Sequence, residues 1–158
     1  MFKPTLIISG GQTGADQAGL RAAERLGIAT GGWVPKGCYT EDGEAPWLVT
    51  QYGCREHTAQ YDYEPRTRLN VQLGDATVIF GRRSPGSNLT ERLCQQYEKP
   101  CLWMWCNPDR PITFATARNF QLWIVRHQPE TLNIAGNRES VNRGIGEAVE
   151  RFLVEVFS

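Results

Sequence analysis

The feature that most constrains this chain is its opening unit. Leu6-Ile7-Ile8 is a short apolar run that stops at Ser9-Gly10-Gly11 and leads straight into a helical pattern. Ala15, Ala18, Gly19, Ala22, Ala23 and Leu26 recur at helical spacing opposite Arg21, Glu24 and Arg25, and Gly27 stands where a left-handed cap would end the helix. An apolar run this short, without polar alternation, reads as a strand buried on both faces. A strand, a glycine turn and a helix make half of a βαβ unit, and the pattern continues. A second strand is expected from Ile28 to Val34, a third over Ala76–Phe80 stopped by Gly81, a fourth over Cys101–Trp105 and a fifth over Leu132–Ala135. Helical stretches run from Pro65 to Leu73, from about Asn88 to Lys99 before Pro100, from Thr113 to His127 and from Ile145 to Phe157. Pro35 to Pro46 reads as a long loop, and residues 47–63 have no clear period. Strands alternating with helices predict an α/β, Rossmann-like three-layer sandwich with a mostly parallel sheet of about five core strands. The fourth strand is expected to be central, with Trp103, Met104 and Trp105 in the core.

A length of 158 residues suits one domain spanning residues 1–158. A core of that size needs no disulfide, metal or cofactor in order to fold. Lys plus Arg and Asp plus Glu are equal at 17 each, which removes the overall positive field expected of a non-specific nucleic-acid binder. No apolar run approaches the roughly 18 residues of a membrane span, and Met1 to Gly11 lacks the pattern of a signal peptide. Five cysteines at irregular spacings fit reduced thiols better than a disulfide framework. The reading is a soluble cytoplasmic protein with neither membrane nor nucleic acid as partner. His57 and His127 form no zinc pattern with the cysteines, so no metal site is expected.

In a parallel sheet, ligands bind outside the carboxyl ends of the strands. That edge should be lined by residues 9–16, 35–43, 81–90 and 136–144. Gly10-Gly11-Gln12-Thr13-Gly14-Ala15-Asp16 opens a helix with glycines that let backbone N–H groups approach an anion. It lacks the G-x-G-x-x-G spacing of a dinucleotide fingerprint and the Lys-Ser/Thr pair of a Walker A loop. A tight turn that only serves geometry is the alternative. Arg82-Arg83-Ser84-Pro85-Gly86-Ser87-Asn88-Leu89-Thr90 repeats the arrangement after the third strand, and two such loops suggest a phosphate site. Gly136-Asn137-Arg138-Glu139-Ser140 is a third polar loop on this edge. With Lys36 and Arg143, these segments give a neutral chain a locally cationic crevice. Trp33, Tyr39 and Trp47 flank the loop after the second strand, where stacking on a flat heterocycle and simple packing are both open.

Several ordered motifs resemble the molybdenum carrier family. They are Ile8-Ser9-Gly10-Gly11-Gln12-Thr13-Gly14-Ala15-Asp16-Gln17-Ala18-Gly19-Leu20, Gly32-Trp33-Val34-Pro35-Lys36-Gly37 with Glu41-Asp42-Gly43, Arg66-Thr67 with Asn70-Val71, Asp75-Ala76-Thr77, the Gly86-to-Thr90 turn, and Ala135-Gly136 with Arg138-Glu139-Ser140. The resemblance covers nearly the whole chain and implies a SLOG-type Rossmann-like fold that binds nucleotide-like or phosphorylated ligands. It further implies that molybdenum cofactor (molybdopterin) is held without being transformed, and that the chain assembles into homodimers or homotetramers. The implied ligand- and phosphate-binding set is Gly10, Gly11, Gln12, Thr13, Gly14, Asp16, Lys36, Arg66, Asn70, Arg82, Gly86, Ser87, Asn88, Thr90, Gly136, Arg138, Glu139 and Ser140. A related branch, the phosphoribohydrolases that resemble lysine decarboxylases, cleaves nucleoside monophosphates with an Arg and with the Glu of P-G-G-x-G-T-x-x-E. Here the corresponding stretch runs from Pro85 to Leu93, and Leu93 stands in the place of that glutamate. A leucine cannot serve as an acid or base, so an N-glycosidic hydrolase would need Asp16 or Glu91 instead, with Arg66 beside it. A nucleotide-sensing domain is a third reading.

Overall fold

The structure, a computed structural model, describes residues 1–58 and 63–158. In chain order, β1 (Leu6–Ile8) leads through α1 (Ala15–Leu26) to β2 (Ala29–Gly31). A peripheral segment follows, made of β3 (Trp33–Val34), β4 (Tyr39–Thr40), β5 (Gly43–Glu44), α2 (Trp47–Thr50) and β6 (Arg55–Glu56). Then come α3 (Tyr63–Leu73), β7 (Ala76–Phe80), α4 (Pro85–Gln96), β8 (Cys101–Met104), α5 (Phe114–His127), β9 (Thr131–Gly136) and α6 (Ile145–Phe157). Five strands form one parallel sheet in the order β2-β1-β9-β7-β8, so the last strand in sequence lies at the centre.

Helices cover both faces, as the apolar runs require. On one face α1, α5 and α6 bury Ala18, Ala22, Phe120, Ile124, Val149 and Leu153 against Ile7, Val78, Phe80, Leu132 and Ile134. The alanines and Gly19 of α1 allow close approach, since a Cβ on Gly19 would sit 2.8 Å from the Ile134 Cβ. Each fully buried Phe, Ile or Leu in this cluster contributes about 1.5 to 3 kcal/mol. On the other face α3 and α4 pack Val71, Leu93 and Cys94 with Leu89, Tyr97 and Cys101. The peripheral segment packs Val34, Cys38, Ala45, Leu48, Tyr52 and Cys54 in one cluster with Leu20 of α1. Among the described residues no helix is long and apolar enough to cross a membrane, and all five thiols are free.

The α/β sandwich with five parallel strands agrees with the sequence expectation, but four details differ. The expected second strand breaks at Gly32, whose φ of +119° brings its Cα so near Ser9 that a Cβ would lie 2.3 Å from the Ser9 carbonyl oxygen. β2 stays in the main sheet while β3 leaves to pair with β6. The long loop from Pro35 to Pro46 holds the antiparallel β4–β5 pair. α4 begins at Pro85 and not at Asn88, because Ser84 caps it: its Oγ accepts from the Ser87 N–H at 3.2 Å, and proline tolerates the first turn. β8 is an edge strand, not a central one. Trp105 lies beyond its end and is 63% exposed. Trp103 donates from Nε1 to the Gly81 carbonyl at 2.7 Å, and the Arg83 guanidinium stacks over its ring at 4.4 Å.

Gly136 ends the central strand at φ +146°, and a Cβ there would lie 2.1 Å from the Phe80 carbonyl oxygen. Gly136→Ala is expected to lose more than about 2 kcal/mol in urea unfolding, combining backbone strain with overpacking. Gly86→Ala, where a Cβ meets nothing within 4 Å, is expected to stay within about 0.5 kcal/mol of the parent.

Candidate functional site

β9 runs between β1 and β7, and the loops leaving these three strands meet at their carboxyl ends. They enclose a cavity of about 300 Å³. Gly10, Gln12 and Asp16 line it with Arg66, Thr67 and Asn70 of α3 and with Ser84, Pro85, Gly86, Leu89 and Thr90 at the start of α4. Asn133, Ile134, Ala135 and Gly136 of β9, with Arg138 and Val141 beyond it, complete the lining. That volume lies at the lower end of the usual range for small-molecule sites, so it suits a ligand of mononucleotide size.

Asn137 ties the three loops together and is only 2% exposed. Its Oδ1 accepts from the Arg82 N–H at 2.8 Å, and its Nδ2 donates to the Arg82 carbonyl at 2.8 Å. Its carbonyl accepts from the Ala15 N–H at 3.0 Å, and its own N–H donates to the Phe80 carbonyl at 3.0 Å. Two glycines make room for it. A Cβ on Gly14 would lie 2.4 Å from the Asn137 carbonyl oxygen, and one on Gly81 2.2 Å from Oδ1.

The glycine loop after β1 is filled from within the protein. The Gly11 N–H donates to Ser9 Oγ, the Gln12 N–H to Asp16 Oδ2, the Thr13 N–H to Gln12 Oε1 and the Ala15 N–H to Asn137. A Cβ on Gly10 would strike the Arg66 guanidinium, and one on Gly11 would strike Val34 and Leu48. These glycines admit protein atoms, which leaves four amides of the loop already engaged. The first turn of α4 is different. Gly86 is exposed, lines the cavity and has open space around it, and the partial positive charge of a helix N-terminus accompanies it.

Asp16 is buried, and burial pushes its carboxyl up to about 6 against the pull of the Arg66 charge and of the Gln12 N–H. Arg66 Nη1 stands 3.6 Å from Asp16 Oδ2 and also donates to the Gly10 carbonyl, so one guanidinium bridges the loop and the carboxylate. Glu41 organises the other rim. Burial would raise its carboxyl, but donors from Ser140 and Thr13 and the Arg138 charge hold it below the usual range. Arg138 Nε lies 3.6 Å from Glu41, and Gln12 Oε1 accepts from the Glu41 N–H at 2.9 Å. The β4–β5 hairpin is thereby fastened to the cavity rim.

Of the residues singled out in the sequence, Gly10, Gln12, Asp16, Arg66, Asn70, Gly86, Thr90, Gly136 and Arg138 line the cavity. The others stand around it. Gly11 and Gly14 pack in the turn, and Thr13 and Ser140 donate to Glu41. Glu139 accepts from the Gly144 and Gly146 N–H groups at the start of α6. Ser87 lies within the α4 cap, Asn88 accepts from Arg83, and Arg82 reaches the Val141 carbonyl. Lys36 and Arg143 are exposed and do not line the cavity. Glu91 pairs with Arg83 at 3.0 Å outside the cavity. Trp33 packs edge-on with His57 and Trp47 with Tyr52, and neither they nor Tyr39 line the cavity. Sequence reasoning missed Asn133 and Ile134 as lining residues, because residues inside a strand carry no local signal of a site. Among the described residues no group of three or more His, Cys, Asp or Glu is arranged to hold a metal ion.

The fold is that of a Rossmann-like α/β domain with a cavity at its strand ends, and the comparisons agree with that fold class. The pattern of the "Circularly permutated YpsA SLOG family" matches residues 7–157, and the chain belongs to that family. Comparison with curated proteins gives no match. Among solved structures the chain is similar to a crystal structure described as a "Putative molybdenum carrier protein" from Syntrophus aciditrophicus, with 42% identity and a TM-score of 0.87. The likeness covers 99% of this chain and 96% of that one.

Two outcomes follow from the site's construction. Asn137→Ala strands the Arg82 amide and carbonyl, and denaturant unfolding is expected to show a loss of about 2 to 4 kcal/mol. Asp16 has a folded pKa above its unfolded value, so its stabilising contribution is complete below about pH 3.8 and is lost as the pH rises through about 6. The stability of the parent relative to Asp16→Asn should therefore fall between pH 3.5 and pH 7, by on the order of 3 kcal/mol. A pH-independent difference would contradict this assignment.

Proposed function

We propose that the protein binds and carries a small phosphorylated heterocycle in the cavity between β1, β9 and β7, and that molybdenum cofactor is its cargo. The observation that carries the reading is a single cavity wall. The first turn of α4, with open space at Gly86, lines the cavity together with Arg138, so an anion there would meet the Gly86 N–H and a helix N-terminus, although Ser84 already accepts from the Ser87 N–H and Glu41 already pairs with Arg138. The phosphate is assigned to this end and not to the glycine loop after β1, whose amides are engaged. The likeness to a structure described as a molybdenum carrier supports the choice of cargo. Among the described residues no Cys, His or Met lines the cavity, so the cargo would be held through its organic part and phosphate, without a soft ligand from these residues to the metal.

The buried carboxyl of Asp16, raised to about 6, favours one alternative, a nucleoside-monophosphate hydrolase in which Asp16 acts as the acid or base. Native mass spectrometry with molybdenum cofactor and, separately, with AMP tests both readings. Cofactor retained intact with AMP unaltered is the expected result, and release of adenine and ribose phosphate would replace the carrier by an enzyme. The same spectra count subunits, for which a dimer or tetramer is the expectation. Gly86→Asp adds a carboxylate in open space at a helix start that tolerates one, so the fold should persist while affinity for the phosphorylated ligand falls at least about tenfold.

A further inference from the structure

The outward face of α5 carries an apolar stripe that the chain itself leaves uncovered. Phe114 is 82% exposed, Leu122 54% and Val125 46%. At about 100° per residue these three and Arg118 fall within an arc of roughly 80°, centred roughly 140° round the helix from Phe120 and Ile124, which face the core. The helix itself is held in place. Thr113 Oγ1 caps it by accepting from the Thr116 N–H at 3.2 Å, and Phe120 packs edge-on against Phe152 and Phe157 of α6. β8, the strand that leads into it, is an edge of the sheet, and Cys101-Leu102-Trp103-Met104 include no charge to guard that edge. Trp105, Phe114, Leu122 and Val125 make up half of the eight large apolar side chains exposed among the described residues, so one stretch of chain concentrates them. Such a concentration marks an interaction surface. None of these four lines the cavity, so the surface is independent of the ligand reading.

The stripe fits a copy of itself. With two α5 helices antiparallel, Phe114 falls opposite the partner's Val125, and Leu122 falls opposite the aliphatic stem of the partner's Arg118. The charges at the ends of the stripe agree with that pairing. Asp109 and Arg110 precede the helix, Arg126 and Glu130 close it, and all four are exposed. Among the described residues none of the four forms an ion pair within the chain. Antiparallel pairing brings the first end to the second, so Asp109 meets the end bearing the partner's Arg126, and Arg110 the end bearing the partner's Glu130. A surface flanked by both signs of charge is poorly matched to a uniformly anionic lipid layer.

We propose that the outward stripe of α5 is a docking surface for a second copy of this chain, paired antiparallel across a two-fold axis near Phe120 and Gln121. Phe114, Leu122 and Val125 supply the apolar contact, and Asp109 with Arg126 sets its direction.

Sedimentation equilibrium of the full chain over a dilution series tests this without any ligand. The parent is expected to associate, and Leu122→Arg, at an exposed position where the fold should persist, is expected to raise the dissociation constant at least about tenfold. Leu73→Arg, at an exposed apolar position on α3, should leave it unchanged. Asp109→Arg should weaken association, and adding Arg126→Asp should restore it, which a merely structural role for either residue would not produce. A parent tetramer that Leu122→Arg reduces to a dimer supports the proposal equally. A parent that stays monomeric at every concentration overturns it, and needs no variant to fold. Association that Leu122→Arg leaves intact overturns it as well, by placing the contact elsewhere. A monomeric parent that sediments with phosphatidylglycerol vesicles would assign the stripe to a lipid surface instead.

Discussion

The Asn137 side chain and backbone hold together everything that happens at the strand ends. Through Arg82, Ala15 and Phe80 it reaches the ends of β7 and β9 and the start of α1, with four hydrogen bonds from one residue. Such a clamp requires close backbone approach, and Gly14 and Gly81 supply it by lacking the Cβ that would collide with Asn137. The three loops are therefore fastened to one another by the protein's own hydrogen bonds.

That clamp also changes the meaning of the glycine-rich loop. In isolation Gly10, Gly11 and Gly14 look like room for a phosphate. In the folded chain that room is taken by Arg66, by Val34 with Leu48, and by Asn137 with Arg138. The loop instead presents a carboxylate, Asp16, to the cavity, and Arg66 balances part of its charge. The first turn of α4, by contrast, lines the cavity with open space at Gly86.

Much of the fold was legible from local pattern. β1, α1 with its Gly27 cap, β7, α5 and α6 fall where apolar spacing and caps predict, because each is decided by residues within a few positions of one another. The failures have a common cause. Gly32 bends the chain because Ser9 approaches it, and β8 lies at an edge because β9 enters the sheet between β1 and β7. Neither event leaves a trace in nearby residues. The site divides in the same way: Gly10, Gln12, Asp16, Gly86 and Thr90 were visible as parts of strand–turn–helix motifs, whereas Asn133 became part of the cavity only through the pairing of β9.

The sequence by itself determined the α/β class, the parallel character of the strands and the segments that gather at their carboxyl ends, since hydrophobic period and glycine punctuation act over short distances. Tertiary structure alone decided the strand order, which amides of the glycine loop the protein itself engages, and that Asp16 is a buried carboxyl beside Arg66 in the cavity. Those properties depend on contacts between residues far apart in the chain, Arg66 on Gly10 and Asn137 on Arg82 among them, and no local pattern encodes such distances.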